Sequence, residues 1–180
     1  REVIEVSGIG FEPKGEFKSN GKRIDPLRRG TLKLLLLASM LCNDAKLIRK
    51  GDKWLVSGDP TEGALKVLAY KAGLNDDVIG KYPRVNEIPF TSERKRMTTI
   101  HTTPEGKHYA FMKGAPEEVL KRCKWMMVDG RTLEMTEDIR EELLSINESF
   151  AKKALRNLAL AYREVDEPTE FDEKSEAGFI

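Results

Sequence analysis

The residues with the clearest chemical potential are Phe90 and the three cations that follow it, Arg94, Lys95 and Arg96. They lie in Glu87-Ile88-Pro89-Phe90-Thr91-Ser92-Glu93-Arg94-Lys95-Arg96-Met97-Thr98-Thr99-Ile100, where a proline-bounded aromatic leads into consecutive charges and then into a β-branched run. An aromatic face can stack on a flat ring, and cationic donors can answer phosphates. The same pattern also fits a core phenylalanine at the edge of a solvated turn.

Two further groups have comparable potential. Phe111-Met112-Lys113-Gly114-Ala115-Pro116-Glu117 reads as a strand that stops at a glycine and passes into a helix begun by proline and glutamates. Gly114 lets a backbone approach a ligand closely. Lys113 is either a surface lysine or a group at a strand-to-helix junction of the kind that holds ligands. Asp59-Pro60-Thr61-Glu62 carries an N-cap aspartate, a first-turn proline and a glutamate three residues after the cap. Capping accounts for both carboxylates, although Asp59 at a helix mouth can also accept bonds from a ligand amine.

Other candidates are weaker. His101 and His108 flank a Pro-Glu-Gly turn and read as solvated hairpin positions rather than metal ligands. Cys42 and Cys123 stand far apart without the partner spacing of a zinc or iron–sulfur site, so reduced thiols are expected. Gly8 and Gly10 lack the third glycine and the following helix of a dinucleotide fingerprint.

Composition narrows the field. With 31 Lys and Arg against 30 Asp and Glu, a net charge of +1 provides no global field for nucleic acid or an anionic membrane, so any anion binding must be local. The length of 180 residues fits one domain with a proper core. The apolar segment Leu27 to Leu41, about 15 residues, is too short to span a bilayer. Arg1-Glu2-Val3-Ile4-Glu5 reads as a charged strand and not as a secretory signal, and a start without Met is expected of a fragment cut from something longer.

The elements that must position these residues follow in order. A strand over residues 2–6 precedes a loop and hairpin to Phe17. Asp25-Pro26 starts an apolar, mostly buried helix to Leu41, stopped by Cys42-Asn43-Asp44. Two short strands surround Lys50-Gly51-Asp52, and a helix from Asp59 runs to Ala72 before Gly73. Strands at Arg84–Phe90, Arg96–Thr102 and His108–Met112 form an antiparallel meander. A hairpin turns at Asp129-Gly130, Thr136 caps a long helix to about Leu155, and Arg156–Arg163 forms the last strand. The acidic tail from Glu164 to Glu176 is expected to loop over the surface. This order predicts an α+β fold with an antiparallel sheet of about six or seven strands flanked by helices.

Asp59-Pro60-Thr61-Glu62 with Ala64-Leu65, Phe90 to Met97, Lys113 to Glu117 and Arg156-Asn157-Leu158-Ala159 together resemble, in order and spacing, the nucleotide-binding domain of type II P-type cation-transporting ATPases. Cys42-Asn43-Asp44 at a helix end is similar to the calcium-pump branch. The resemblance covers the whole chain. It implies that Phe90 stacks on adenine, that Lys95 and Lys113 line the pocket with Gly114, that Asp59 and Glu62 lie near the base, and that Arg156 contacts ribose or phosphate. Many calcium pumps carry an arginine two residues after the stacking phenylalanine; here Ser92 occupies that place, and Arg94 is the candidate to substitute in part.

The resemblance further implies one nucleotide-binding domain over residues 1–180, a cytoplasmic module of an integral membrane pump, with both ends as hinge segments lying side by side. Its ligand is ATP, with Mg²⁺ in the parent pump. Its partners are the phosphorylation and actuator domains of the same parent chain, with no nucleic acid and no direct membrane contact, and the isolated domain is a monomer. The phosphorylated Asp-Lys-Thr-Gly-Thr segment is absent from these residues, so the domain alone is not catalytic and would present the γ-phosphate to an aspartate elsewhere. A soluble kinase would need its own phosphate loop, and neither Gly-x-x-x-x-Gly-Lys-Ser/Thr nor a kinase lysine–aspartate set is present. A non-catalytic protein-interaction module is the other alternative.

Overall fold

A computed structural model describes residues 2–180, which divide into two units at Lys81 and Tyr82.

In the first unit, β1 (Ile4–Val6), β2 (Phe17–Ser19) and β3 (Lys22–Ile24) form a three-stranded antiparallel sheet. The β2–β3 hairpin was not foreseen, although its signal is the Asn20-Gly21 pair; both residues take positive φ, 49° and 75°, as a tight hairpin turn requires. Asp25 does cap, but it caps a separate 3₁₀ turn, Pro26–Arg28, by accepting the Leu27 amide at 3.0 Å. Arg29 is extended, so α1 begins only at Gly30 and runs to Leu41 (Gly30–Leu41). Burial in α1 is concentrated at its C-terminal half, in Leu36, Ala38, Ser39, Met40 and Leu41.

The hairpin of β4 (Lys46–Lys50) and β5 (Lys53–Ser57) leads into α2 (Pro60–Lys71). Asp59 starts α2 as expected, and Gly73 ends it at φ 92°, a left-handed stop open to glycine. Gly63 has no room for a side chain, because a Cβ there would lie 2.4 Å from Val56. A short helix, α3 (Asp77–Lys81), closes the unit.

The second unit is built on a four-stranded antiparallel sheet, in the order β11-β8-β7-β6. Its strands are β6 (Arg84–Ile88), β7 (Arg96–Thr102), β8 (His108–Gly114) and β11 (Ala159–Val165). Between β8 and β11 come α4 (Pro116–Leu120), the hairpin β9 (Trp125–Val128) and β10 (Arg131–Glu134), and α5 (Glu137–Ala151). The fold is α+β, but the principal sheet has four strands and not six or seven. The remaining strands form separate small sheets, β1-β2-β3, β4-β5 and β9-β10, each built by pairing strands adjacent in sequence.

One face of this sheet carries Ile88, Ile100, Ala110, Met112, Ala161 and Val165. Val119, Leu120, Cys123, Met135, Phe171 and Phe179 join them in the core, with Ile139, Leu143 and Leu144 of α5 packed against it. Pleating places the next residues, Met97, Thr99, His101, Phe111 and Lys113, on the opposite face, and all five are buried. His101 is therefore not solvated: it is 2 % exposed, its Nδ1 lies 2.8 Å from the Tyr82 carbonyl, and its ring lies 5.9 Å from that of Phe111.

The helix capped by Thr136 ends at Ala151, short of Leu155, where Ala154 takes φ 57° and the Leu155 amide donates to the Phe150 carbonyl. Arg156–Leu158 precede β11 rather than open it. The tail also departs from expectation. It forms two 3₁₀ turns, Pro168–Glu170 and Glu173–Ser175, buries Phe171, Glu176 and Phe179, and ends with Ile180 exchanging two backbone hydrogen bonds with Tyr162. The expected pairing of the two chain ends involves Arg1, which lies outside the described residues.

Candidate functional site

Antiparallel pairing gathers residues far apart in sequence at one end of the four-stranded sheet. Ile88 at the close of β6 pairs with Thr98, Arg96 at the start of β7 pairs with Gly114 at the close of β8, and Gly114 pairs with Ala159 at the start of β11. Phe90, Lys95, Lys113, Gly114 and Arg156 thus lie at, or within a few residues of, this one end of the strands.

Phe90, two residues beyond β6, is 57 % exposed, which removes the reading of a core phenylalanine. The turn after it is closely held. The Thr91 carbonyl accepts the Lys95 amide at 2.8 Å, and the Thr91 hydroxyl accepts the Arg94 amide at 3.2 Å. Lys95 is exposed and takes φ 51°, a left-handed conformation that a non-glycine residue adopts only when its surroundings impose it. Its carbonyl accepts the Ala115 amide at 3.0 Å.

That contact explains Gly114. A Cβ on Gly114 would stand 2.5 Å from the Lys95 oxygen and 2.7 Å from the Arg96 Cβ, so the close approach it permits is that of the neighbouring strand end. Lys113 is 6 % exposed, between its cross-strand neighbours Met97 and Leu160, and is not a surface lysine. Arg156 is exposed, and the next residue is anchored: the Asn157 side-chain Nδ2 donates to the Asn147 carbonyl at 3.2 Å and to its side-chain oxygen at 2.9 Å.

Arg94 and Arg96 are not outward cations. Both turn to Glu176, which also accepts the Thr98 hydroxyl at 2.6 Å, so of the three consecutive cations only Lys95 is exposed. Burial pushes the Glu176 carboxyl up, but the bonds from Arg94, Thr98 and Arg96 outweigh it and hold the group below the usual glutamate range. The sequence concealed Glu176 inside an acidic tail; the flanking Phe171 and Phe179 were the signal that this tail folds back.

Asp59 and Glu62 belong to the first unit. The Asp59 carboxylate accepts the Thr61 and Glu62 amides at 2.8 and 3.1 Å. Glu62 does not complete a capping box in these bonds; its carboxylate accepts the Asp44 amide at 3.1 Å and its carbonyl accepts the Asn43 side chain at 2.8 Å. Asn43 also donates to the Ser39 carbonyl, which closes the Cys42-Asn43-Asp44 corner onto α1 and α2. Sequence reasoning missed Lys66, 4 % exposed, which donates to the Ala45 carbonyl at 2.9 Å and pairs with Asp76 at 3.2 Å. Burial and the adjacent Asp76 push the Tyr70 hydroxyl up to about 12.

Among the described residues no group of three or more His, Cys, Asp or Glu is arranged to hold a metal ion, and no helix is long and apolar enough to cross a membrane. The sequence model of the P-type ATPase, cytoplasmic domain N, matches residues 31–178. The chain belongs to this family.

The N domain is 35 % identical over 161 residues to the calcium-transporting ATPase of Bacillus subtilis (strain 168), a match that covers 89 % of the chain and 18 % of the relative. It is 41 % identical over 147 residues to calcium-transporting ATPase 1 of Lactococcus lactis subsp. lactis (strain IL1403), covering 81 % of the chain and 16 % of the relative. Against calcium-transporting ATPase type 2C member 1 of Bos taurus it is 37 % identical over 160 residues, covering 87 % of the chain and 16 % of the relative. The N domain thus spans less than a fifth of the length of these relatives.

Proposed function

We propose that residues 1–180 are the nucleotide-binding domain of a P-type cation-transporting ATPase, and that ATP binds at the end of the four-stranded sheet. The observation that supports this most is Phe90, a large apolar ring left 57 % exposed in the turn that also carries the exposed Lys95. Adenine stacks on Phe90, Lys95 and Lys113 line the pocket with Gly114, and Arg156 meets ribose or phosphate. Calcium is the cation named for the relatives, and we extend it to the parent of this chain.

The phosphates point away from the base site, and the γ-phosphate is presented to an aspartate on a separate phosphorylation domain. Mg²⁺ would be held by the nucleotide and the parent's other domain. A stacked base contributes roughly 1–3 kcal/mol and a charge-assisted bond about 1.5–3 kcal/mol. Less the cost of association, affinity falls on the order of 0.1 to several mM.

Competition calorimetry with AMP, ADP, ATP and GTP tests this. The three adenine nucleotides should bind within about tenfold of each other and GTP distinctly worse, and Phe90→Ala should weaken all three alike. A steep rise in affinity with phosphate count would instead indicate a phosphate cradle.

A further inference from the structure

Segments about eighty positions apart meet beneath the turn that follows Phe90. Glu176 is 1 % exposed, and its carboxylate accepts Arg94 Nη2 at 2.6 Å, Arg96 Nε at 2.8 Å and Nη2 at 2.6 Å, and Thr98 Oγ1 at 2.6 Å. Arg94 makes a second bond, from Nη1 to the Pro89 carbonyl at 2.6 Å, directly before Phe90. Arg96 Nη1 donates to the Arg94 carbonyl at 3.2 Å. The other carboxylates near the pair are more distant: Glu173 lies 3.4 Å from Arg94 Nε and Glu118 4.0 Å from Arg96 Nη1.

One carboxylate therefore ties down the backbone before Phe90 and both residues that flank Lys95. We propose that Glu176 is a positioning residue for the nucleotide turn: through Arg94 and Arg96 it holds Phe90 and the left-handed Lys95 in the arrangement that accepts the base. For its ligand this inference rests on the nucleotide reading above.

The physical reason is the fate of the two guanidiniums without it. Both are largely buried and have Glu176 as their close counter-charge, so its removal drives them to seek water and opens the turn over Pro89 to Arg96. A turn that is competent for only a fraction of the time binds its ligand more weakly by that fraction.

The test uses the purified chain with Glu176→Gln, which preserves side-chain volume. Amide resonances of Thr91 to Arg96 should shift or broaden, and the ATP dissociation constant should rise about three- to tenfold. Glu176→Gln should weaken ATP binding by a smaller factor in a Phe90→Ala background than in the wild type, since part of its effect passes through Phe90. Leu143→Ala in the α5 core should lower the melting temperature without moving the turn amides or the affinity. A Glu176→Gln chain that loses thermal stability while its turn amides and ATP affinity stay within twofold overturns the proposal. Should Glu176→Gln fail to fold, Arg94→Gln, which keeps the Arg96 and Thr98 bonds to Glu176, supplies the same two readouts. If the wild-type chain shows no ATP-dependent shifts, the nucleotide reading falls, and the turn amides alone decide the role of Glu176.

Discussion

The carbonyl of Lys95 accepts the amide of Ala115 at 3.0 Å, which fastens the turn after Phe90 to the strand end that carries Lys113 and Gly114. The bond is possible because residue 114 has no side chain. Two segments that seem independent in sequence are thereby one structural feature.

Gly114→Ala should consequently damage both. The added methyl would meet the Lys95 backbone, which cannot swing aside as a flexible side chain would. A cost of about 1–3 kcal/mol is expected from overpacking, together with weaker ATP binding, read by urea denaturation and by titration. Wild-type stability and affinity in Gly114→Ala would show that the two strand ends are loosely coupled.

The Glu176 cluster predicts a pH dependence. Its folded carboxyl lies below the usual value of 4.5, so its contribution is fully present above that value and is lost as pH falls through the lower folded value. The urea midpoint of the wild-type chain should exceed that of Glu176→Gln at pH 7, with a gap equivalent to about 3–5 kcal/mol for a broken buried pair. The gap should narrow only below the ordinary glutamate range. A gap that is constant down to pH 3 would mean that the carboxylate charge is irrelevant there.

Much of this was legible in the chain. The Asp59-Pro60 signal started α2 correctly because capping is local chemistry, and the β-branched run bounded β7 at Arg96 and Thr102. What escaped was long-range. Nothing near Glu176 in sequence announces two arginines about eighty residues away, and a polar histidine next to a turn gives no sign that its strand is covered on both faces. The number of strands in one sheet likewise depends on which hairpins find a third partner, and periodicity carries no information on that.

Asp59 offers a separation of roles. Asp59→Ala removes the bonds to the Thr61 and Glu62 amides and should cost about 1 kcal/mol, whereas Asp59→Ser retains a capping oxygen and should cost little. Thermal melts of the two variants check this. A loss of ATP affinity in Asp59→Ser at unchanged stability would add Asp59 to the nucleotide contacts.

The isolated chain should bind ATP without consuming it. Phosphoryl transfer needs an in-line nucleophile and a held metal ion. Incubation with labelled ATP and Mg²⁺ should give neither acid-stable labelling nor phosphate release above buffer. Turnover that disappears with Asp59→Asn would show that the domain carries its own chemistry.

The central claim is that an adenine nucleotide occupies the end of the four-stranded sheet against Phe90. A heteronuclear NMR titration of the chain with ATP into the millimolar range tests it directly. The predicted result is a set of saturable shifts centred on Phe90 to Lys95, Lys113 to Ala115 and Arg156 to Leu158, lost in Phe90→Ala while the rest of the spectrum stays that of the folded chain. Shifts centred elsewhere, or shifts that survive Phe90→Ala unchanged, would contradict it.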